Sequence, residues 1–171
     1  MRDKISIDRV ARLHPKIRDE VKQLIEKAEE KLPAHVAVRV VQGLRTFPEQ
    51  DKLYAQGRTD KTKPKVTNSK AGQSYHNFGL AIDFALLIDK DRNSVYETIS
   101  WDLLKDEDKD GVADWMEVVD VFEDAGYTWG GRFVSIKDNP HLEKNFGLHW
   151  KELLKRHNAK DFIEQVDYVR I

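Results

Sequence analysis

Residues 74–88 read SYHNFGLAIDFALLI. From Gly79 to Ile88 this stretch is apolar except for Asp83, so it predicts a buried β-strand that carries a single charge. A buried carboxylate is costly unless it is paired, and Asp83 therefore needs either a cation or several hydrogen-bond donors. Backbone amides would satisfy a lone aspartate, whereas a metal ion would satisfy one that lies near His76. The stretch alone leaves both interpretations open.

The segment DNPHLE (residues 138–143) adds a second histidine. Pro140 restricts the residue before it to an extended conformation, and we therefore expect a strand to begin at His141. Together with His76 and Asp83, His141 would complete a set of two histidines and one carboxylate. Catalytic zinc sites have three such protein ligands and keep a fourth position open for water. Each histidine taken alone is more often a hydrogen-bonded structural residue than a ligand.

The composition narrows the classes of site and partner. The chain has 171 residues, which suits one domain, and its 29 basic and 30 acidic side chains argue against a nucleic-acid-binding protein. It has no cysteine, which excludes disulfides, thiol nucleophiles and cysteine-ligated zinc. Any transition-metal site must therefore use histidines and carboxylates. Four histidines outside the two segments are expected at the solvated surface: His14, His35, His149 and His157.

Apolar stretches in the chain run only a few residues. None has the length of a transmembrane helix or of the apolar region of a signal peptide. We therefore expect a protein that is made in the cytosol without a signal peptide and that does not insert into a membrane.

Hydrophobic periodicity predicts one α+β domain over residues 1–171, without internal repeats or a linker. Helices are predicted over Pro15–Leu32, Glu49–Gln56, Ala113–Ala125 and Leu148–His157. Strands are predicted from Val36 to near Gly43, over Gly79–Ile88 and over the closing residues Val166–Ile171. Residues 58–72 are polar and without periodicity, and a loop of this length indicates the lip of a functional site.

The pattern Ser-x-His-x-x-Gly-x-Ala-x-Asp resembles the first metal motif of the M15 peptidases. It consists here of Ser74, His76, Gly79, Ala81 and Asp83. That family includes D-alanyl-D-alanine carboxypeptidases and dipeptidases. It also includes the L-alanyl-D-glutamate endopeptidases of phage endolysins, which form its endopeptidase branch.

Further segments resemble the endopeptidase branch. Trp129–Gly131, followed by Asp138-x-x-His141-x-Glu143, resembles its second motif, and residues 43–45 and 50–58 match it as well. Order and spacing agree over about residues 40–143, which we take as the motif-bearing part of the peptidase domain.

The sequence departs from that branch after the two glycines. Arg132 and Phe133 stand where an acid and a tryptophan are common, and Leu142 stands where phenylalanine is common. None of these positions is a ligand position, so we expect the substrate cleft to differ and the chemistry to be kept.

The resemblance implies a Hedgehog/DD-peptidase-like fold, which is a small α+β domain with an antiparallel sheet flanked by helices. In that fold His76, Asp83 and His141 would bind Zn²⁺, and Asp138 would act as the general base toward the attacking water. Arg45 would lie near the scissile carbonyl group and stabilise the oxyanion. A surface salt bridge is the alternative role for Arg45.

The activity implied by the resemblance is hydrolysis of the stem peptide of bacterial peptidoglycan, at the bond between L-Ala and D-Glu. The nearest alternative is a D-alanyl-D-alanine carboxypeptidase or dipeptidase, although such relatives usually carry Glu at the base position. A non-catalytic wall-binding module is a further alternative, but it would not need Asp138. We expect a monomer that remains cytoplasmic until it is released to act at the cell wall.

Residues 106–117, DEDKDGVADWME, match the twelve-residue EF-hand loop and predict a Ca²⁺ site. Gly111 occupies position 6, where that loop turns sharply. Positions 1, 3, 5, 7, 9 and 12 would supply the ligands, with a backbone carbonyl at position 7: Asp106, Asp108, Asp110, Val112, Asp114 and Glu117. An acidic surface turn is the alternative. The weaker pattern Asp89-x-Asp91-x-Asn93 lacks the glycine and the final glutamate, and it predicts a hairpin turn.

Overall fold

The computed structural model describes residues 1–134 and 136–171, and within them the chain forms five α-helices and one five-stranded sheet. The helices are α1 (Lys4–Ala11), α2 (Pro15–Lys31), α3 (Phe47–Ala55), α4 (Asp114–Asp124) and α5 (Trp150–Asn158). The strands are β1 (Val36–Gln42), β2 (Ala81–Ile88), β3 (Thr98–Ser100), β4 (Thr128–Trp129) and β5 (His141–Glu143). This is the α+β fold with an antiparallel sheet that the sequence predicts.

Strand β2 organises the sheet, because β1, β3 and β5 all pair with it in antiparallel fashion. The pairing with β1 begins with Val36 opposite Ile88. Strand β5 pairs with the first three residues of β2 and places His141 directly opposite Asp83. The sheet thereby brings together two residues that lie 58 positions apart in the chain.

The hydrophobic core lies between the sheet and the helices. Helix α2 contributes a fully buried apolar stripe with helical spacing: Ile17, Val21, Ile25 and Ala28. Helices α1 and α2 pack against β1, and α4 packs against α2. The ring of Trp115 in α4 lies 4.3 Å from the ring of Phe84 in β2, measured between centroids. Each large side chain buried in this way contributes about 1.5–3 kcal/mol to stability.

The predicted closing strand over Val166–Ile171 is wrong. Among the described residues of this tail, only Val169 forms a bridge, which is an isolated antiparallel one to Phe162. Single backbone hydrogen bonds and side chains hold the tail. The amide of Arg170 donates to the carbonyl oxygen of Asp161, Nε2 of His14 lies 2.9 Å from the carbonyl oxygen of Val169, and the Tyr168 hydroxyl donates to the carbonyl oxygen of Arg12. A hydrophobicity pattern does not reveal such contacts.

The expectation that His14 and His35 are solvated is also wrong, because they are 0% and 7% exposed. His14 caps the N-terminus of α2: its Nδ1 accepts a hydrogen bond from the backbone amide of Lys16, and its Nε2 lies 2.9 Å from the carbonyl oxygen of Val169. His157 is half-buried and stacks on the ring of Phe47, whereas His149 is exposed as expected.

The acidic pattern that begins at Asp89 directly follows strand β2. Asp89 lies in the connection between the antiparallel strands β2 and β3, where its carboxylate accepts the backbone amides of Asn93 and Ser94. The predicted hairpin turn is therefore present.

In the described part of the chain, no helix has both the length and the apolar character needed to cross a membrane.

Candidate metal centre and active site

Three side chains converge where the inner strands β2 and β5 pair. Nε2 of His76 lies 3.1 Å from Oδ1 of Asp83 and 3.2 Å from Nδ1 of His141. Nδ1 of His141 lies 3.2 Å from the same carboxylate oxygen. His76 belongs to a short 3₁₀ turn, Tyr75–Phe78, that leads into β2. The three atoms form a nearly equilateral triangle.

A hydrogen bond on the far side of each imidazole orients the ring. Nδ1 of His76 lies 2.8 Å from the carbonyl oxygen of Gly43, and Nε2 of His141 lies 2.8 Å from Oε2 of Glu143. Because a carbonyl and a carboxylate only accept, these two nitrogens carry the protons. In each neutral ring the other nitrogen then directs a lone pair toward Asp83. Such outer partners are typical of metal-binding histidines.

The triangle fits a zinc ion. Nitrogen and oxygen ligands at about 2.0–2.1 Å from a tetrahedral ion lie roughly 3.3 Å from one another, close to the separations of these three atoms. Three lone-pair donors at such distances repel unless a cation or a proton lies among them. The donor set could therefore hold a zinc ion through three protein ligands, with a fourth position open.

The protonation of the metal-free cluster is consistent with this interpretation. Burial would raise the pKa of Asp83, but the charge and hydrogen bonds of the two histidines lower it well below its usual range. Burial would lower the pKa of His141, but hydrogen bonds to Asp83 and Glu143 outweigh it and raise that pKa. Both directions show that positive charge at the centre of the triangle is favourable, which is the charge that a metal ion would supply.

Arg45 lies within the candidate site, since its side chain is 13% exposed and one guanidinium nitrogen is 3.6 Å from Oδ2 of Asp83. Hydrogen bonds hold both the backbone and the side chain of Arg45 in place. The backbone amide donates to the carbonyl oxygen of His76, and a guanidinium nitrogen donates to Oε1 of the fully buried Gln50. The alternative of a surface salt bridge for Arg45 is therefore wrong.

Asp138 lies just before β5 and lines the same cleft as His76, Asp83 and His141. Its carbonyl oxygen accepts the backbone amide of His141, and its amide donates to the carbonyl oxygen of Gly130. A Cβ atom on Gly130 would overlap that Asp138 carbonyl oxygen and lie 3.0 Å from Cβ of His141, so only glycine permits this approach. Partial burial and the negative charge of Asp83 raise the pKa of Asp138.

A cleft of about 530 Å³ opens onto the triangle and contains the side chains of Arg45 and Asp138. The loop over residues 58–72, which the sequence predicts as the lip of the site, contributes to its wall. Gln50 connects this loop to Arg45, because its side-chain amide donates to the carbonyl oxygen of Ser69 and its Oε1 accepts from Arg45. The remaining walls are mixed polar and apolar. The lining residues outside the triangle include Leu53, Val66, Thr67, Ser69, Gln73, Ser74, Tyr75, Phe133, Glu143 and Trp150.

Glu143 and Gln50 both lie in the motifs, but the sequence pattern does not indicate their roles. Glu143 is two residues after His141 in a strand, and residues at that spacing face the same side of a sheet. This spacing could have revealed the contact between them. The role of Gln50 could not have been found in this way, because its two partners, Arg45 and Ser69, are brought together only by the fold.

Comparisons with known proteins show which family the chain resembles. A family model of the M15 peptidases, described as D-alanyl-D-alanine carboxypeptidase, matches residues 67–144. This range contains the three residues of the triangle and Asp138. The peptidoglycan L-alanyl-D-glutamate endopeptidase CwlK of Bacillus subtilis (strain 168) is 44% identical over 131 residues, which are 77% of this chain and 72% of CwlK. The chain belongs to the M15 peptidase family.

A solved structure shows how far the fold is shared. The crystal structure of the L-Ala D-Glu endopeptidase ChiX of Serratia marcescens matches with a TM-score of 0.53, over 84% of this chain and 88% of ChiX. The two sequences are only 19% identical, so this likeness concerns the fold. The helices and antiparallel sheet described above are therefore a known arrangement.

Proposed function

We propose that the chain is a zinc-dependent endopeptidase that hydrolyses the bond between L-Ala and D-Glu in the stem peptide of bacterial peptidoglycan. The observation that carries the proposal is the triangle of His76, Asp83 and His141 at the bottom of a cleft that also contains Asp138. The relationship to CwlK supports the choice of bond, because CwlK is an L-alanyl-D-glutamate endopeptidase and shares 44% of aligned residues.

In this proposal His76, Asp83 and His141 hold Zn²⁺, which would supply Lewis-acid polarisation of the scissile carbonyl group and lower the pKa of water. Asp138 takes a proton from the attacking water. It then returns the proton to the leaving amine as the peptide bond breaks. The guanidinium of Arg45 donates to the carbonyl oxygen as negative charge develops there.

A D-alanyl-D-alanine carboxypeptidase is the second candidate, because the matching family model carries that description. The two candidates differ in the bond that is cut, and therefore in the products. A non-catalytic wall-binding module is a weaker alternative, since the side chain of Asp138 lines the cleft beside the triangle.

Mass spectrometry of fragments released from purified peptidoglycan distinguishes the candidates. The endopeptidase produces new amino-terminal D-Glu or D-iso-Gln, whereas a carboxypeptidase releases only terminal D-Ala. The Asp138→Asn protein serves as the matched control for contaminating hydrolases. Products limited to D-Ala would contradict the proposed bond, and no products at all would favour the binding module.

We further propose that residues 1–171 act as one peptidase domain, as a monomer, at the bacterial cell wall. The described residues that line the cleft extend from Arg45 to Trp150, which supports a single domain. The Ca²⁺ that the sequence predicts at residues 106–117 has no part in this chemistry, because no described cleft residue belongs to that loop. Its proposed role is structural.

A further inference from the structure

We infer that residues 106–117 form a Ca²⁺ site that holds the first turn of α4 in place. The inference concerns a second ion, separate from the candidate zinc centre, and it does not depend on the proposed peptidase activity. It combines the EF-hand pattern of the sequence with two buried carboxylate oxygens that have no hydrogen-bond partner among the described residues.

Carboxylate oxygens from three positions of the loop converge. One oxygen each of Asp106, Asp108 and Asp114 lies within 4.8 Å of the other two. The loop reverses direction through Lys109 and Gly111, which have φ values of 63° and 97°. Glycine is the residue that adopts such a φ without strain, as the sixth position of an EF-hand loop requires.

Two buried carboxylates point to a missing ligand. Asp114 is 0% exposed and Glu117 is 6% exposed, and both lie in the first turn of α4. Among the described residues, Oδ2 of Asp114 and Oε2 of Glu117 are buried and have no hydrogen-bond partner. A buried, unpaired carboxylate oxygen is costly, so these two residues are unfavourable unless a cation binds them.

Neighbouring negative charges increase this cost. The carboxylates of Asp110, Asp108 and Asp114 repel that of Glu117, which is only 6% exposed. In the EF-hand pattern Glu117 would be the bidentate ligand at position 12 and Asp114 the ligand at position 9. A cation at the centre of the loop would therefore bind the two oxygens that otherwise lack partners.

The chemistry of the loop favours Ca²⁺ over Mg²⁺. Five side-chain carboxylates and one backbone carbonyl can supply six or more oxygens, which suits the flexible coordination of Ca²⁺ at 2.3–2.6 Å. Mg²⁺ needs a near-ideal octahedron and usually keeps several of its waters. The five acids of the loop, Asp106, Asp108, Asp110, Asp114 and Glu117, would also repel one another without a divalent ion.

The position of the loop explains why an ion here would be structural. Helix α4 has no side-chain cap at its N-terminus. Its buried Trp115 lies between Asp114 and Glu117 in the sequence and packs on Phe84 of β2. Phe84 directly follows Asp83. Binding of Ca²⁺ to Asp114 and Glu117 would thus fix the turn of α4 that contacts the centre of the sheet.

Calorimetric titration of the full zinc-loaded chain with CaCl₂, and separately with MgCl₂, tests the inference. We expect one Ca²⁺ per chain, much weaker Mg²⁺ binding, and a melting temperature that rises with the logarithm of the Ca²⁺ concentration. No Ca²⁺ binding at millimolar concentration, or equal binding of Mg²⁺, would overturn it. The zinc-site variant His141→Ala should keep the Ca²⁺ response, which separates this test from any failure of the proposed peptidase.

The variant Glu117→Gln distinguishes a ligand from an ordinary buried residue. It removes the charge while keeping the volume, so it should weaken Ca²⁺ binding by roughly tenfold or more. Without Ca²⁺ it should melt no lower than the parent chain, because a buried unpaired charge has been removed. The control Glu107→Gln, at position 2 of the loop, should retain the Ca²⁺ response. A full response in Glu117→Gln would overturn the ligand assignment.

Discussion

Glu143 lies 2.8 Å from Nε2 of His141, on the side of the imidazole that faces away from Asp83. The contact exists because His141 and Glu143 are two positions apart in β5, so both side chains face the same side of the sheet. The side chain of Leu142, between them, is fully buried. An acceptor at Nε2 leaves Nδ1 as the nitrogen that is free to bind a metal ion. Glu143 is thus a positioning residue for His141.

Replacing Glu143 should therefore weaken zinc binding. Glu143→Ala removes the acceptor and should lower zinc affinity by about 10–100-fold, as expected for the loss of such an outer partner. Glu143→Gln can still accept from Nε2 and should retain most of the affinity. Competition with a chelating dye measures this directly, with the exposed Glu164→Ala as the control. Unchanged affinity in Glu143→Ala would exclude the positioning role.

Zinc removal should abolish hydrolysis of peptidoglycan. We expect a chelator to inactivate the chain and added Zn²⁺ to restore activity, because in the proposed mechanism the triangle would hold the ion that polarises the scissile bond. His141→Ala should lose stoichiometric zinc, measured by elemental analysis, together with activity. Retention of both zinc and activity in that variant would show that the ligand assignment is wrong.

Asp138→Asn should separate proton transfer from metal binding. We expect it to fold and to bind zinc normally while kcat falls by about 10²–10⁴-fold, because the amide cannot accept the proton. The exposed Asp8→Asn serves as the control for loss of a carboxylate. If zinc is lost along with activity, Asp138 would instead be a metal ligand.

Arg45→Met should test the proposed contact with the carbonyl oxygen. Loss of one well-placed donor to the oxyanion costs about 10²–10³-fold in kcat, and zinc content should remain unchanged. The exposed Arg92→Met is the matched control. Loss of zinc in Arg45→Met would instead show that Arg45, 3.6 Å from Asp83, acts by holding that carboxylate.

The buried cap His14 predicts that the fold is less stable in acid. Burial lowers the pKa of His14 from 6.5, and the charged form would lose the hydrogen bond that Nδ1 accepts from Lys16. For a base with a lowered folded-state pKa, this stability is present above pH 6.5 and is lost as the pH falls through the folded-state pKa.

Urea denaturation of the metal-free chain at several pH values measures this effect without a contribution from zinc release. The free energy of unfolding of the wild type should decrease below about pH 6.5 more steeply than that of His14→Gln. Parallel pH dependence in the two proteins would contradict the prediction.

The long elements could be predicted because each carries its signal locally. Helix α2 has an apolar stripe and a proline at its first position, and β2 is an unbroken apolar run around Asp83. Helix α1 is not evident from the sequence because its two isoleucines, Ile5 and Ile7, are exposed, whereas its buried face contains the polar Ser6. The last residues resemble a strand because Val166, Val169 and Ile171 are apolar. Among the described residues, however, the tail forms only one isolated bridge, from Val169 to Phe162.

The sequence by itself determined which residue types are available for a metal site, since a chain without cysteine has only histidines and carboxylates to offer. Motif spacing selected His76, Asp83 and His141 among them. Only the tertiary structure decided that these three meet, that the half-buried Arg45 lies beside Asp83, and that His14 and His35 are not at the surface. Such contacts join residues far apart in the chain, and they depend on strand register and packing. A local pattern of amino acids does not contain that information.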